Sequence, residues 1–555
     1  MPEQQTVAST PGAPSATAVP EHPGCIPFSA IPHSSCLFQS FLFRHPEVSS
    51  LYPHQPDVAT VAAYARTLGA KYPAGRRAQI AGILERQNRA WGASQATRAN
   101  IARLRAGAVA VISGQQVGLF GGPLFSLLKA ASALQLAAEL TAQGVDAVPV
   151  FWLATEDHDL DEVNHAWLPA GEELRRFTSQ SRGESAAPVG AVRFTAEINR
   201  LASEFAGLLG PGPVAEAIIA CYAEGETFGS AFARLYTRLL SSTGLVLVDP
   251  LDPEIHAVTA PLMVAAAEAA EALDHALLER GKQLRDAGYH EQVKVTPAST
   301  LLFSMEDERR TVVHLAGEDF LIGTRRVPRS ELLSRIQSHP EQFSANVLLR
   351  PVLQDHLFPT AAYFGGPAEV AYFAQANVVY ERLLGRATPV LPRLSATIIN
   401  GKQERLLRRY SLSLADLFHG SEELQERLAA RVLPGGLREQ FAAAGETLSK
   451  IEQGLMRPLD ALDHTLTDAS ARAARKMQYQ LNRLAAKAAR AELRRNQQLI
   501  TDSRQILTGL FPEKGLQERT IPGVFFLASH GTELMQTLIA VAATHCAGHH
   551  LISLT

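Results

Sequence analysis

Blocks of apolar and polar residues follow one another along this chain with a changing period, and they spell strand, glycine loop and helix in turn. The run GAVAVISGQQVGLFGGP, from Gly107 to Pro123, is β-branched at first and glycine-rich at its end. In the following LFSLLKAASALQLAAEL, Leu124, Leu127, Ala131, Leu134 and Ala138 share one helical face, and Pro123 suits a first turn, where its missing N–H would have had no partner. Val148 to Leu153, inside VDAVPVFWLATEDHD, is a continuous apolar run of the kind found in strands covered on both faces. Strand, helix and strand in this order predict a β-α-β crossover. GLVLVD, from Gly244 to Asp249, follows a helical segment around Phe228 to Leu240 and continues the alternation, so the core reads as a doubly wound α/β fold.

Other stretches differ in texture. Leu168 to Thr195 is polar and loop-like, whereas Val293 to Gly323 alternates like a small antiparallel sheet, and both read as parts of insertions at about 168–230 and 255–345. The core pattern returns in NVLLRPVLQDHLFPTAAYFGGPAEVAYFAQANVVYERLL and PVLPRLSATII, read as strand-like runs before glycine loops and helices. The tetrapeptide FGGP occurs at Phe120 to Pro123 and at Phe364 to Pro367, so two loops of like chemistry are expected to face one cleft. From Ser411 to Leu510 apolar residues take coiled-coil spacing at Leu448, Ile451, Leu455, Leu459, Leu462 and Leu466, then at Met477, Leu481, Leu484, Ala488 and Ala491. The turn-prone Leu466 to Ser470 between the two runs predicts an antiparallel hairpin, with Pro458 kinking its first arm. The domain reading is a floppy tail over 1–24, a core with insertions over 25–410, a helical hairpin over 411–510, and a segment over 511–555 that packs back on the core.

With 555 residues, 46% of them hydrophobic, the chain can bury at least one large core. Its 52 Lys and Arg against 55 Asp and Glu leave a net charge of −3, which supplies no field to steer polyanions, so no nucleic-acid partner is expected. The basic residues Arg472, Arg475, Lys476 and Arg483 read as a solvated coiled-coil face. No apolar run approaches a membrane span, and the first residues lack the apolar stretch of a secretory signal. Cys25, Cys36, Cys221 and Cys546 are widely scattered without metal-ligand spacing, which suits a reducing compartment and predicts a cytoplasmic protein away from membranes.

Three groups of residues could carry chemistry. The loop Ser113, Gly114, Gln115, Gln116, Gly118, Gly121 and Gly122 combines glycines with a helix start, a setting in which backbone N–H groups can receive an anion. It matches neither the dinucleotide fingerprint nor the lysine-bearing phosphate loop, and a tight structural turn would look the same. Glu156, Asp157, His158 and Asp159, with Asp161, Glu162, Asn164 and His165 after them, follow the second strand's carboxyl end, where open α/β sheets place their crevice. Carboxylates beside an imidazole can hold an ammonium group, move a proton or ligate a divalent metal, and their spacing leaves these alternatives open. Arg350, Gln354, Gly365, Gly366, Glu369 and Arg393 surround the second FGGP loop, and each arginine could clamp an anion or form an ordinary ion pair. Cys221, in AIIACYA, reads as a core residue, and His545 to His550 as a turn rather than a soft-metal tract.

The strings ISGQQVGLFGGPLFSLLKAASALQLA, VPVFWLATEDHDLDEVNHAWL, NVLLRPVLQDHLFPTAAYFGGPAEVAYFAQ, VLPRLS and LFPEKGLQER together resemble the BshC family, cysteine ligases of bacillithiol biosynthesis. The resemblance implies a Rossmann-like core with connecting-peptide insertions and a coiled coil that takes part in homodimerisation. It implies addition of L-cysteine to glucosaminyl malate, with no tightly bound cofactor. Similarity of that core to class I aminoacyl-tRNA synthetase-type ligases implies ATP as a co-substrate, although the chain carries neither the His-Gly-type nor the Lys-Met-Ser-Lys-Ser-type adenylation signature of those enzymes. The residues leave two other readings open: a metal-dependent hydrolase built on Glu156 to Asp159, or a dimeric coiled-coil interaction protein with a vestigial core.

Overall fold

The computed structural model describes residues 24–554 apart from 33, 69–71, 182–186, 307–308, 421–422, 425–427 and 429–434, so the tail expected over 1–24 lies almost wholly outside the described residues. Five strands make the central sheet: β1 (Val109–Gln115), β2 (Ala147–Leu153), β3 (Val246–Val248), β4 (Thr360–Gly365) and β5 (Val390–Pro392). All pairs are parallel, in the order β5-β4-β1-β2-β3. β1 and β2 are buried almost throughout, which is why their sequences are apolar runs rather than alternations. Helix α1 (Phe125–Ala142) crosses from β1 to β2 and α2 (Pro367–Leu384) from β4 to β5. The chain therefore winds one way from β1 and the other way from β4, and the strand order reverses between these two neighbours. Open α/β sheets take their ligands outside the carboxyl ends at such a point.

Two expectations change, one for an insertion and one for the core. Leu168 onward is not a loop but part of a hairpin, His165–Ala170 with Glu173–Thr178, because its solvent face is polar and only a few side chains, Ala166, Leu168 and Phe177 among them, are buried. NVLL is not a strand either. Asn346 Oδ1 accepts from Leu348 N and Leu349 N, both at 3.0 Å, and turns the chain into the helix Arg350–Leu357. The antiparallel sheet expected after Val293 is present with five strands, in the order Arg325–Val327, Asp319–Ile322, Arg309–Ala316, Ser299–Glu306 and Phe343–Ala345.

The hairpin consists of α3 (Gly435–Leu462), which contains Pro458, and α4 (Thr465–Arg495). Its turn falls at Asp463 and His464 rather than at Leu466 to Ser470, because Asp463 Oδ1 accepts from Thr465 N at 2.8 Å and starts α4 there. The following helix, Gln497–Leu510, buries Leu499, Ile506 and Leu510 against the core. The C-terminal segment does return to the core: Gly548–Leu554 is the middle strand of a second sheet, parallel to Ser395–Asn400 and antiparallel to Cys25–Pro27. That return corrects the reading of four scattered thiols. Cys25 and Cys546, 521 residues apart, form a disulfide, a pairing that only the second sheet brings about.

Candidate functional site

A cleft of about 370 Å³ opens outside the carboxyl ends of β1, β2 and β4, at the reversal point of the sheet. Gly114, Gln115 and Gln116 close β1, and Asp157 and Glu162 follow β2. Gly366, Glu369 and Tyr372 come from the start of α2, Arg350 from the start of the helix Arg350–Leu357, and Arg393 and Arg519 from beyond β5. A second chamber of about 450 Å³ adjoins it through Pro367, Ala368, Arg393 and Arg519.

Lys129 is the centre of the cationic wall. It projects from α1 with 3% of its side chain exposed, pairs with Glu369 Oε2 at 2.5 Å, and donates to Gly114 O at 2.7 Å and Gln115 Oε1 at 2.8 Å. Burial lowers its pKa, and Glu369 opposes that shift. Burial would raise the Glu369 pKa, but Lys129, the Gly366 N–H at 2.8 Å and the Tyr363 hydroxyl at 2.6 Å outweigh it, so the carboxyl sits below its ordinary value. Burial would lower the Arg350 pKa, yet Tyr372 and Tyr363 beside it keep the guanidinium firmly protonated, and it donates to Tyr372 Oη at 2.7 Å. Arg393, 5% exposed, donates to Glu518 Oε1 at 2.7 Å and lies over the Phe125 ring at 5.3 Å. Glu518 in turn accepts from Ser395 Oγ and Ala396 N, and Ser395 meets the buried His549, so the second sheet anchors Arg393.

The acidic wall is built on the opposite strand. Gln116 Nε2 donates to Asp157 Oδ2 at 2.6 Å and to Glu162 Oε2 at 2.7 Å, holding both carboxylates at the cleft. Asp157 Oδ1 accepts from His158 N at 2.7 Å, which fixes its orientation. Glu156 stands behind this shelf with 23% exposure, its pKa raised to about 7 by burial and by Asp249, while Arg310 and Arg350 pull the other way.

The structure thus brings together Gly114, Gln115, Gln116, Asp157, Arg350, Gly366, Glu369 and Arg393, with Gly365 in the adjoining chamber. The other expected site residues do not border this cleft. Ser113 is buried and donates to Phe364 O at 2.9 Å, and Asp159 caps the short helix Leu160–Val163 by accepting from Glu162 N. His158 is half-buried outside the lining, Asn164 binds Asp161, and Gln354 is fully buried in the core. Glu156, Asp157, His158 and Asp159, all among the described residues, do not bring three donor atoms within 4.8 Å of one another.

The first FGGP loop is likewise turned inward. Gly121 N donates to Tyr222 Oη at 3.0 Å, Gly122 N to Leu119 O, and Leu124 N to Ile521 O, so these N–H groups have protein partners rather than an anion, and Gly118 is buried beside them. Its glycines serve backbone geometry, with φ of 90° at Gly121 and 67° at Gly122. Gly121→Val is therefore expected to destabilise the fold by roughly 1–3 kcal/mol through strain and a clash with Leu235, which lies 3.1 Å from the added Cβ. A lowered midpoint in urea denaturation checks this; an unchanged midpoint with lost ligand binding would return the loop to the anion-site reading.

Sequence reasoning missed Lys129, Arg310, Tyr363, Tyr372, Glu518 and Arg519. Lys129 alone left a signal, as the lone cation on an apolar helix directly after the β1 loop.

Residues 24–394 match the family model described as bacillithiol biosynthesis BshC, N-terminal Rossmann-like domain, and residues 396–554 match its C-terminal coiled-coil domain. A protein of Koribacter versatilis named "Putative cysteine ligase BshC" is 48% identical over 96% of this chain and 99% of its own length. Proteins of the same name from Solibacter usitatus and Salinibacter ruber are 37% identical over 96% of this chain and 34% identical over 93%, covering 99% and 96% of their own lengths.

Proposed function

The chain belongs to the BshC family, and we propose on that footing that it is a ligase joining the carboxyl of L-cysteine to the amine of glucosaminyl malate, the last step of bacillithiol synthesis. The observation that carries this reading is the lining of one cleft by groups of both signs, Lys129, Arg350, Arg393 and Arg519 together with Asp157, Glu162 and Glu369. An amino acid's ammonium group suits the carboxylates, and the anionic groups of cysteine, malate and nucleotide suit the cations. The adjoining chamber offers room for a second substrate beside the first.

Joining a carboxylate to an amine requires an activated acyl group. With ATP as co-substrate, the carboxylate oxygen takes up the nucleotidyl phosphorus as pyrophosphate leaves, and the amine then displaces AMP, losing its proton toward Asp157. No protein nucleophile is needed. Cys221 is buried, with its thiol pushed above its ordinary pKa by burial, and stands away from the cleft. Incubation of the pure protein with glucosaminyl malate, cysteine and ATP, followed by mass spectrometry, is expected to yield bacillithiol with AMP. Absence of any thiol product under these conditions overturns the reading.

We assign a homodimer in the cytoplasm as the working form. Ile451, Leu455, Leu462, Met477 and Leu484 are between 47% and 78% exposed along the hairpin, an apolar seam suited to a second copy. No single helix among the described residues is long and apolar enough to cross a membrane. Light scattering is expected to give twice the 59.9 kDa chain mass, and Leu455→Glu with Leu462→Glu to return it to the monomer value. A wild-type mass of one chain sinks the assignment.

A further inference from the structure

The second sheet ties the two ends of the chain together at a point the ligase chemistry does not use. Cys25 lies directly opposite His550 in the antiparallel register, and Leu551 N donates to Gly24 O at 2.8 Å. Cys546 completes the group, so that its sulfur, the Cys25 sulfur and a His550 ring nitrogen lie within 4.8 Å of one another. Gly548 makes room for this: a Cβ there would meet Cys25 Sγ at 2.5 Å and Ile26 O at 2.6 Å. Both cysteines are half-buried, within reach of a small molecule. Cys221, by contrast, is buried in a helix.

What the pair holds is one wall of the second chamber. The strand Cys25–Pro27 runs straight into Phe28, Ile31, Pro32 and Ser35, which form one wall of the second chamber. The partner strand carries His549, which meets Ser395 Oγ at 2.7 Å and Thr397 Oγ1 at 2.8 Å, beside the Glu518 that anchors Arg393. That short N-terminal strand has only three register pairs to hold it. A covalent bond at its first residue therefore decides how firmly the wall stays closed on the chamber, since short edge pairings open locally at low cost.

We propose that Cys25 and Cys546 are a thiol–disulfide exchange site for low-molecular-weight disulfides, and that the bond they form fastens the N-terminal wall of the second chamber to the C-terminal strand. The exchange balances without a further reagent. One protein thiolate attacks the small disulfide and expels one small thiolate, leaving a mixed disulfide; the second protein thiolate attacks that and expels the other. The two protein sulfurs lose two electrons in all, the small disulfide gains them, and the protons of the two cysteines leave on the two small thiols. The His550 imidazole beside the sulfurs is placed to receive a thiol proton as the attack begins. Small disulfides are the chemical class that reports the thiol balance of a cell, so an enzyme of thiol synthesis would sense its own product pool at this site. The exchange and its effect on the wall stand or fall independently of the ligase activity.

The test uses full-length protein in a Cys36→Ser background, which removes the exposed thiol, reduced and then exposed to cystine as the probe. The expected result is loss of the Cys25 and Cys546 thiols to differential alkylation, release of two cysteines per chain, and reversal by a phosphine reductant. In Cys25→Ser or Cys546→Ser the reaction is expected to stop at a mixed disulfide on the remaining partner. Hydrogen exchange of the amides over 28–38 is expected to be at least about tenfold slower in the oxidised form. The proposal is overturned if both thiols stay alkylatable in cystine, if exchange over 28–38 is the same in both forms, or if the reduced protein retains one zinc ion per chain that blocks oxidation.

Discussion

Lys129→Met is expected to abolish product formation and to cost about 3–5 kcal/mol of folding stability, while the double variant Lys129→Met with Glu369→Gln regains the stability but not the activity. The reason lies in where the charge sits. Lys129 is 3% exposed and Glu369 19%, so removing the ammonium alone leaves a mostly buried carboxylate without its ion-pair partner, held by the Tyr363 hydroxyl, the Gly366 N–H and the charge of Arg350. A neutral pair of similar volume strands no charge, and the amide oxygen that Glu369→Gln introduces can still accept from the Gly366 N–H. Activity has no such remedy. Lys129 also fixes Gly114 O and Gln115 Oε1, and so ties the end of β1 to the start of α2 across the reversal point of the sheet. Urea denaturation of the two variants checks the stability contrast, and mass spectrometry of the product checks the activity. A single variant with wild-type turnover would remove Lys129 from the site.

The sheet and its crevice were legible because period and burial agree there. β2 is an unbroken apolar run covered on both faces and β1 opens as one from Val109 to Ile112, so the polar residues that end or follow them, Gln115, Gln116 and Asp157, announce the carboxyl edge. The first glycine loop misled because two demands look alike in sequence: glycine for close approach to an anion, and glycine for positive φ in a buried turn beneath Tyr222 and Tyr236. The hairpin was legible as a hairpin, but its turn depends on one side chain, Asp463, rather than on the more turn-prone residues beyond it. Arg519, Glu518 and Arg310 were out of reach: Arg519 borders the cleft from the C-terminal segment, Glu518 holds Arg393, and Arg310 acts on Asp157 and Glu156 through its charge from an insertion strand, and their sequences carry no local period that points to a cleft. The pairing of Cys25 with Cys546 has the same origin, a sheet made from the two ends of the chain.

Asp157 and Glu156 are neighbours in sequence with different surroundings, and their variants are expected to separate turnover from binding. Asp157 borders the cleft and is held by Gln116 and the His158 N–H, so Asp157→Asn is expected to lower kcat by roughly 10²-fold, the usual contribution of a positioned proton acceptor or charge partner. Glu156 lies behind the cleft and acts on it through the field at Arg350 and Arg310. Burial, with Asp249 beside it, raises its pKa to about 7, so the group is a neutral acid below that pH and a carboxylate above it. The sign follows directly. As pH rises through about 7, the new negative charge offsets part of the pull of the two guanidinium groups on an anionic substrate, so KM for that substrate is expected to rise by roughly threefold to tenfold, as expected of one partly screened charge. Glu156→Gln is expected to hold KM at its low-pH value throughout. Linkage gives an independent check, because a carboxyl raised in the folded state binds its proton more tightly there than in the unfolded chain. Folding stability should therefore fall as pH rises from the ordinary carboxyl range to about 7, and Glu156→Gln should make that slope shallower, leaving the part that comes from the raised Asp355 and Asp249. Steady-state kinetics and urea denaturation across this pH range decide the matter: a KM profile that keeps its inflection in Glu156→Gln assigns the titration to another group, and a kcat unchanged in Asp157→Asn takes Asp157 out of the chemistry.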